Sequence, residues 1–161
     1  MVNTINELSE LSRKLNQKSD KTNEIIAGIN EKLAGLNLGI EVWLDRQFDK
    51  WLRDGDFERV GGAEQRDVYP REKEVAYLGY CNVETGWQLA IKEATLLEHR
   101  GDDGEVIEED TDVSYRPLLR ASRETRIAAL PLVPRLLDVL KAKAESVLRS
   151  IDEAEKAAEK L

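Results

Sequence analysis

The sequence predicts an α+β fold: a long N-terminal helix, an antiparallel sheet of about four strands in two consecutive hairpins, and a long kinked C-terminal helical segment. Three observations predict it. Apolar residues recur at intervals of three and four at both ends of the chain, the mark of helices with one buried face. Between them, residues 74–98 (EVAYLGYCNVETGWQLAIKEATLLE) read as two strands joined at Glu84-Thr85-Gly86. Eight of the nine aromatic residues fall between Trp43 and Trp87, so the large side chains collect over the sheet and its loops. A chain of 161 residues fits one domain with a core of its own. Within it, residues 1–37 are the N-terminal amphipathic helix, 38–115 the sheet and 116–161 the C-terminal helices.

The first helix carries Ile5, Leu8, Leu11, Leu15, Ile25, Ile29, Leu33 and Leu36 as its stripe. Thr4 and Glu7 have capping-box spacing and predict its start. Gly35 and Gly39 around Asn37 tolerate the left-handed conformation and predict its end. The middle, residues 16–23, is polar, and a coiled coil here is weak at its centre: the Leu8, Leu15 series meets Thr22, and the Leu11 series meets Lys18. Residues 39–46 alternate Ile40, Val42 and Leu44 with Glu41, Trp43 and Asp45, which predicts a first strand with one buried face. Phe48, Trp51 and Leu52 predict a short helical face over a sheet edge. Residues 53–73 are mostly polar and read as an irregular loop, and a loop of that length in a small domain is often functional or mobile.

In the central hairpin, a three-residue loop with Gly86 at positive φ pairs Val83 with Trp87. That register sets Cys81 opposite Leu89 and Tyr77 opposite Glu93. It also puts Val75, Tyr77, Cys81, Val83, Trp87, Leu89, Ile91 and Leu97 on one face, and Leu78, Tyr80, Ala90, Ala94 and Leu96 on the other. Glu93 is then the one charge in the first row. Asp103-Gly104 marks a second tight turn, and a fourth strand follows at 105–115. From Pro117 the pattern is helical. Pro131 and Pro134 predict a break at 130–133, and Pro134 suits the first turn of a last helix. The stripe of that helix runs through Leu137, Leu140, Ala144, Val147, Leu148, Ile151, Ala154 and Ala158 to Leu161. About 27 residues span about 40 Å, so its end projects and needs a partner.

Net charge is -8 and unevenly spread. Residues 98–112 carry -7, while 116–126 carry +3 through Arg116, Arg120, Arg123 and Arg126 against Glu124. The acidic balance argues against broad nucleic-acid binding, which needs a continuous basic surface. One cysteine excludes an internal disulfide and a cysteine-based zinc site, and fits a reducing compartment. With no leader-like start and no apolar run of membrane length, the expectation is a soluble cytoplasmic protein.

Catalytic constellations are thin. Cys81 and His99 are the only residues that could form a thiol–imidazole dyad, and the hairpin register separates them by about 30 Å. The acidic turn at 101–104 lacks the spaced oxygen ligands of a calcium loop, and Gly61-Gly62 lacks the lysine and serine of a phosphate loop. No cofactor and no metal is assigned.

Two polar groupings remain. On a continuous helix Arg116, Arg120, Arg123 and Arg126 fall within about 120° of arc, a face suited to phosphate or carboxylate ligands. The simpler reading, which is preferred, has them neutralising the acidic hairpin before them. Glu93 with Tyr77 is a candidate pair of polar cleft groups; the simpler alternative is a carboxylate where the sheet runs out to solvent.

The function these features favour is a non-enzymatic interaction or assembly protein, a homo-oligomer or the partner of another protein through its amphipathic helices. The alternative is a small anion- or nucleotide-binding domain using the arginine face, as a binding module or as an enzyme. The order helix, strands, helix also resembles the plan of prefoldin subunits, a likeness of element order with no shared motif. It implies a chaperone or adaptor that grips clients with its helix tips.

Overall fold

The computed structural model describes residues 2–45 and 71–159. Helix α1 (Val2–Gly35) leads to a short strand β1 (Val42–Trp43), then β2 (Arg71–Val83), β3 (Gly86–Arg100) and β4 (Val106–Pro117). A 3-10 turn (Leu118–Arg120), helix α2 (Arg123–Ala129), a second 3-10 turn (Leu130–Leu132) and helix α3 (Val133–Ala158) complete the order. The strands form one antiparallel meander, β1-β2-β3-β4. The fold is α+β, as the sequence predicts. The expected face of Phe48, Trp51 and Leu52 lies outside the described residues, as does the 53–73 loop up to residue 70. Residues 71–73 belong to β2 rather than to a loop.

α1 begins at Val2, so Thr4 is inside the helix and does not cap it. The expected ending holds: Leu36 and Asn37 donate their amides to the Leu33 and Ala34 carbonyls, and Asn37 and Gly39 sit at φ of 50° and 62°. The helix runs across the strands. Tyr80 of β2 donates its hydroxyl to the Leu33 carbonyl, and Asn30 accepts the amide of Leu89 on β3 at 2.8 Å. That amide lies just beyond Pro117, where β4 stops opposite Ala90, so the asparagine supplies an acceptor where the sheet supplies none.

The hairpin register differs from the expectation by one residue. Val83 pairs with Gly86 and Asn82 with Trp87, leaving a two-residue loop of Glu84 and Thr85, with Glu84 at a φ of 54°. One step of slip exchanges the faces of one strand relative to the other. Leu78 and Tyr80 therefore share the helix-side face with Leu89 and Ile91, where they form the main core with Ile26 and Leu33 of α1 and Leu136 and Leu140 of α3. Val75, Tyr77, Ala94 and Leu96 form a second buried cluster on the opposite face. Both faces of the hairpin bury apolar side chains, so alternation carries no register signal there.

Trp43 joins this second cluster and decides the identity of residue 79. Its indole lies against Gly79, its partner across β1 and β2, and a Cβ on Gly79 would overlap the ring. Gly79 pairs in turn with Ala90, and the small pair lets the indole reach across to Tyr115 of β4, with ring centroids 5.6 Å apart. On the other side of the sheet Val42 and Leu44 enter the main core, as the 39–46 alternation predicts.

The break expected at 130–133 is the 3-10 turn Leu130–Leu132, from which Pro134 starts α3. α2 is capped by Ser122, whose hydroxyl accepts the Thr125 amide. A hydrogen bond from its own backbone amide, and secondly one from the same Ser122 hydroxyl, hold the Glu124 carboxyl below its ordinary range.

Candidate functional site

The four arginines do not share a helix. Arg116 is in β4, because β4 keeps pairing with β3 as far as Pro117. Arg120 closes the 3-10 turn, Arg123 opens α2, and Ala121 between them is extended. The single basic face expected from one continuous helix is therefore absent. Each guanidinium has a partner within the chain. Arg116 pairs with Glu93 and Arg120 with Glu84 at 3.0 Å, while Arg123 donates to the Asn16 side chain at 2.9 Å. Arg126 donates to the carbonyls of Leu119 and Ala121 and reaches Ser19 of α1. The partners are thus not the acidic run 98–112 that the simpler sequence reading supposed.

These environments predict unequal costs. Arg126→Ala removes a charged donor from two backbone carbonyls in a half-buried place and is expected to destabilise the fold by about 2 kcal/mol. Arg120→Ala breaks one exposed pair and should cost at most about 1 kcal/mol. Urea denaturation of the two variants reads the difference directly.

Glu93 and Tyr77 do not share a cleft. Tyr77 pairs with Lys92, and Glu93 with Ala76, so the two side chains lie on opposite faces of the sheet. Tyr77 donates to Asp110 at 2.9 Å, and Lys92 bridges Asp110 at 3.0 Å while sitting 4.0 Å from the centre of the Tyr77 ring. That cluster ties β2, β3 and β4 together on the second face. Glu93 and Arg116 instead line a cleft of about 320 Å³ with Glu74, Thr95 and Asp112. It opens where β4 carries a bulge, with Asp112 at a φ of 50°.

Cys81 and His99 stay apart in the observed register. Cys81 faces Gln88, and from Gln88 to His99 the strand runs about 36 Å; their side chains also leave opposite faces. Burial, aided by Glu41, pushes the Cys81 thiol up to about 11, the opposite of what a thiolate nucleophile needs. Among the described residues no group of three or more His, Cys, Asp or Glu could hold a metal ion.

The largest unexplained feature is on the helices. In α1, Ser19, Ile26 and Leu33 are buried on one face, and the same face continues outward through Leu15, Leu11, Leu8 and Ile5. Residues 3–18 are exposed throughout. The overhang follows from geometry: the helix is about 50 Å long and crosses strands spaced about 4.8 Å apart. α3 does the same at its other end. Val133, Leu136 and Leu140 are buried, and their face runs on through Ala144, Val147, Ile151 and Ala154 beyond the fold. Ile5, Leu8, Leu11, Leu15, Leu148 and Ile151 are 48–62% exposed. Each stripe is thus continuous with the core and then exposed to solvent.

The sequence showed both stripes, but periodicity alone could not say which part of each is covered. The polar stretch in the middle of the α1 stripe is the one local signal, and it includes Ser19, the first residue buried against the fold.

The chain matches no family model, no curated protein and no solved structure. No helix among the described residues is long and apolar enough to cross a membrane.

Proposed function

We propose that this protein is a non-enzymatic assembly protein that self-associates through the overhanging faces of α1 and α3, with the sheet and the packed halves of the two helices as its rigid base. One observation carries this reading: each helix has a single apolar face, buried where it meets the sheet and exposed where it leaves it. The internal pairing of all four arginines supports a structural role for them. In an assembly, each exposed leucine moved out of water contributes about 2 kcal/mol.

Light scattering of the full chain over a range of concentrations tests the proposal. The expected result is a dimer or larger species that dissociates on dilution. A strict monomer at every concentration overturns it.

A further inference from the structure

We infer that the α3 overhang binds a second copy of itself in antiparallel register, with residue 149 at the two-fold axis. The inference rests on the assembly reading above and names the partner segment. From Leu137 onward, α3 presents two rows spaced by sevens: Leu137, Ala144, Ile151 and Ala158 in one, Leu140, Val147 and Ala154 in the other. Such rows form the seam of a two-helix pair. Beside the seam runs a third row, Lys141, Leu148 and Glu155, which reads cation, apolar, anion.

The order of that third row sets the direction. When two helices are related by a two-fold axis across their seam, each flank lies against the same flank of its copy. The row then meets itself reversed. Lys141 comes within about 3 Å along the axis of Glu155 of the partner subunit, Leu148 equally close to the partner's Leu148, and Glu155 to the partner's Lys141. In the seam, Val147 meets Ile151 of the partner subunit and Ala144 meets the partner's Ala154. A parallel pair instead sets each flank against the opposite one, which places Lys143 beside Leu148 and Ser150 beside Glu155 and makes no ion pair.

Length agrees with charge. Residue 149 lies midway between Leu140, the last buried residue of α3 at 3% exposure, and Ala158, where the helix ends. The antiparallel overlap therefore uses the whole overhang and stops where the fold begins. Its extent is about 27 Å.

Cross-linking tests the register. Ala144→Cys and Ala154→Cys are made separately in the full chain, oxidised alone, then mixed with one carrying a mass tag; the native Cys81 is buried. The expected result is a mixed disulfide and almost none from either variant alone, because in the antiparallel pair like residues stand about 15 Å apart along the axis. Disulfides from each variant alone would show a parallel pair, and this would overturn the inference while leaving self-association in place. A dimeric protein that cross-links in neither way overturns the α3 pairing. A monomer by light scattering overturns both proposals. Lys141→Glu is further expected to weaken the dimer about tenfold, through two lost ion pairs and the repulsion replacing them, and adding Glu155→Lys should restore it. Failure of the exchanged pair to restore affinity also counts against the register.

Discussion

The variant carrying Leu8→Glu, Leu15→Glu, Leu148→Glu and Ile151→Glu is expected to be a folded monomer at concentrations where the unmodified chain is assembled. All four positions are exposed and lie outside both buried clusters, so the helical content and urea midpoint of the fold should hardly change. Each substitution removes an apolar side chain from an overhanging face and puts a carboxylate there, which would have to be desolvated on association. At about 2 kcal/mol for each lost side chain, the dissociation constant should rise by well over a hundredfold. Circular dichroism and light scattering on the same sample separate the two readouts. Making the changes in α1 or α3 alone assigns the effect to one helix. A variant that still assembles would show that the overhanging faces are not the interface.

Gly79→Ala is expected to be the most damaging single substitution in the sheet. Alanine is ordinarily a better strand residue than glycine, and elsewhere the change would be mild. At residue 79 the added methyl would occupy the place of the Trp43 indole. The ring would have to leave its seat, losing its contact with the Val75, Tyr77, Ala94 and Leu96 cluster and with Tyr115. Overpacking of this kind, with displacement of an aromatic side chain, should cost about 3 kcal/mol or more, a large share of the 5–15 kcal/mol typical of a folded domain. A red shift in tryptophan emission should accompany the loss. Gly28→Ala is the informative contrast: it lies in α1 with open space around its missing Cβ, and should stabilise by about 0.5–1 kcal/mol. Equal effects at the two positions would mean that Trp43 is not seated on Gly79.

Much of the fold was legible because its elements are long and their signals local. The α1 stripe, the Asn37 and Gly39 ending, the two hairpins and the proline break before α3 each depend on residues within a few positions of one another. The hairpin register was not legible. Gly86 made a three-residue loop as plausible as the two-residue one, and with both faces of β2 and β3 buried, alternation could not choose between them. That one-residue difference moved Tyr77 from Glu93 to Lys92 and separated two residues that would otherwise have shared a cleft. The arginine face failed for a related reason. It assumed a helix from Arg116 onward, whereas the ladder from Ala90 and Ile91 holds Pro117 and Arg116 in β4. Strand pairing across the chain outweighed a local helical spacing.

The sequence by itself determined the class of the fold, the order and approximate bounds of its helices and strands, and the apolar face of each long helix. These depend on backbone propensity and on the periods of 3.6 and 2, which a chain carries whether or not it is folded. Only the tertiary structure decided which half of each face is covered. A stripe looks the same along its whole length, but burial depends on how far the sheet extends beneath it. The helices outrun a four-stranded sheet that they meet at one end, and so leave Leu8, Leu15, Leu148 and Ile151 in solvent.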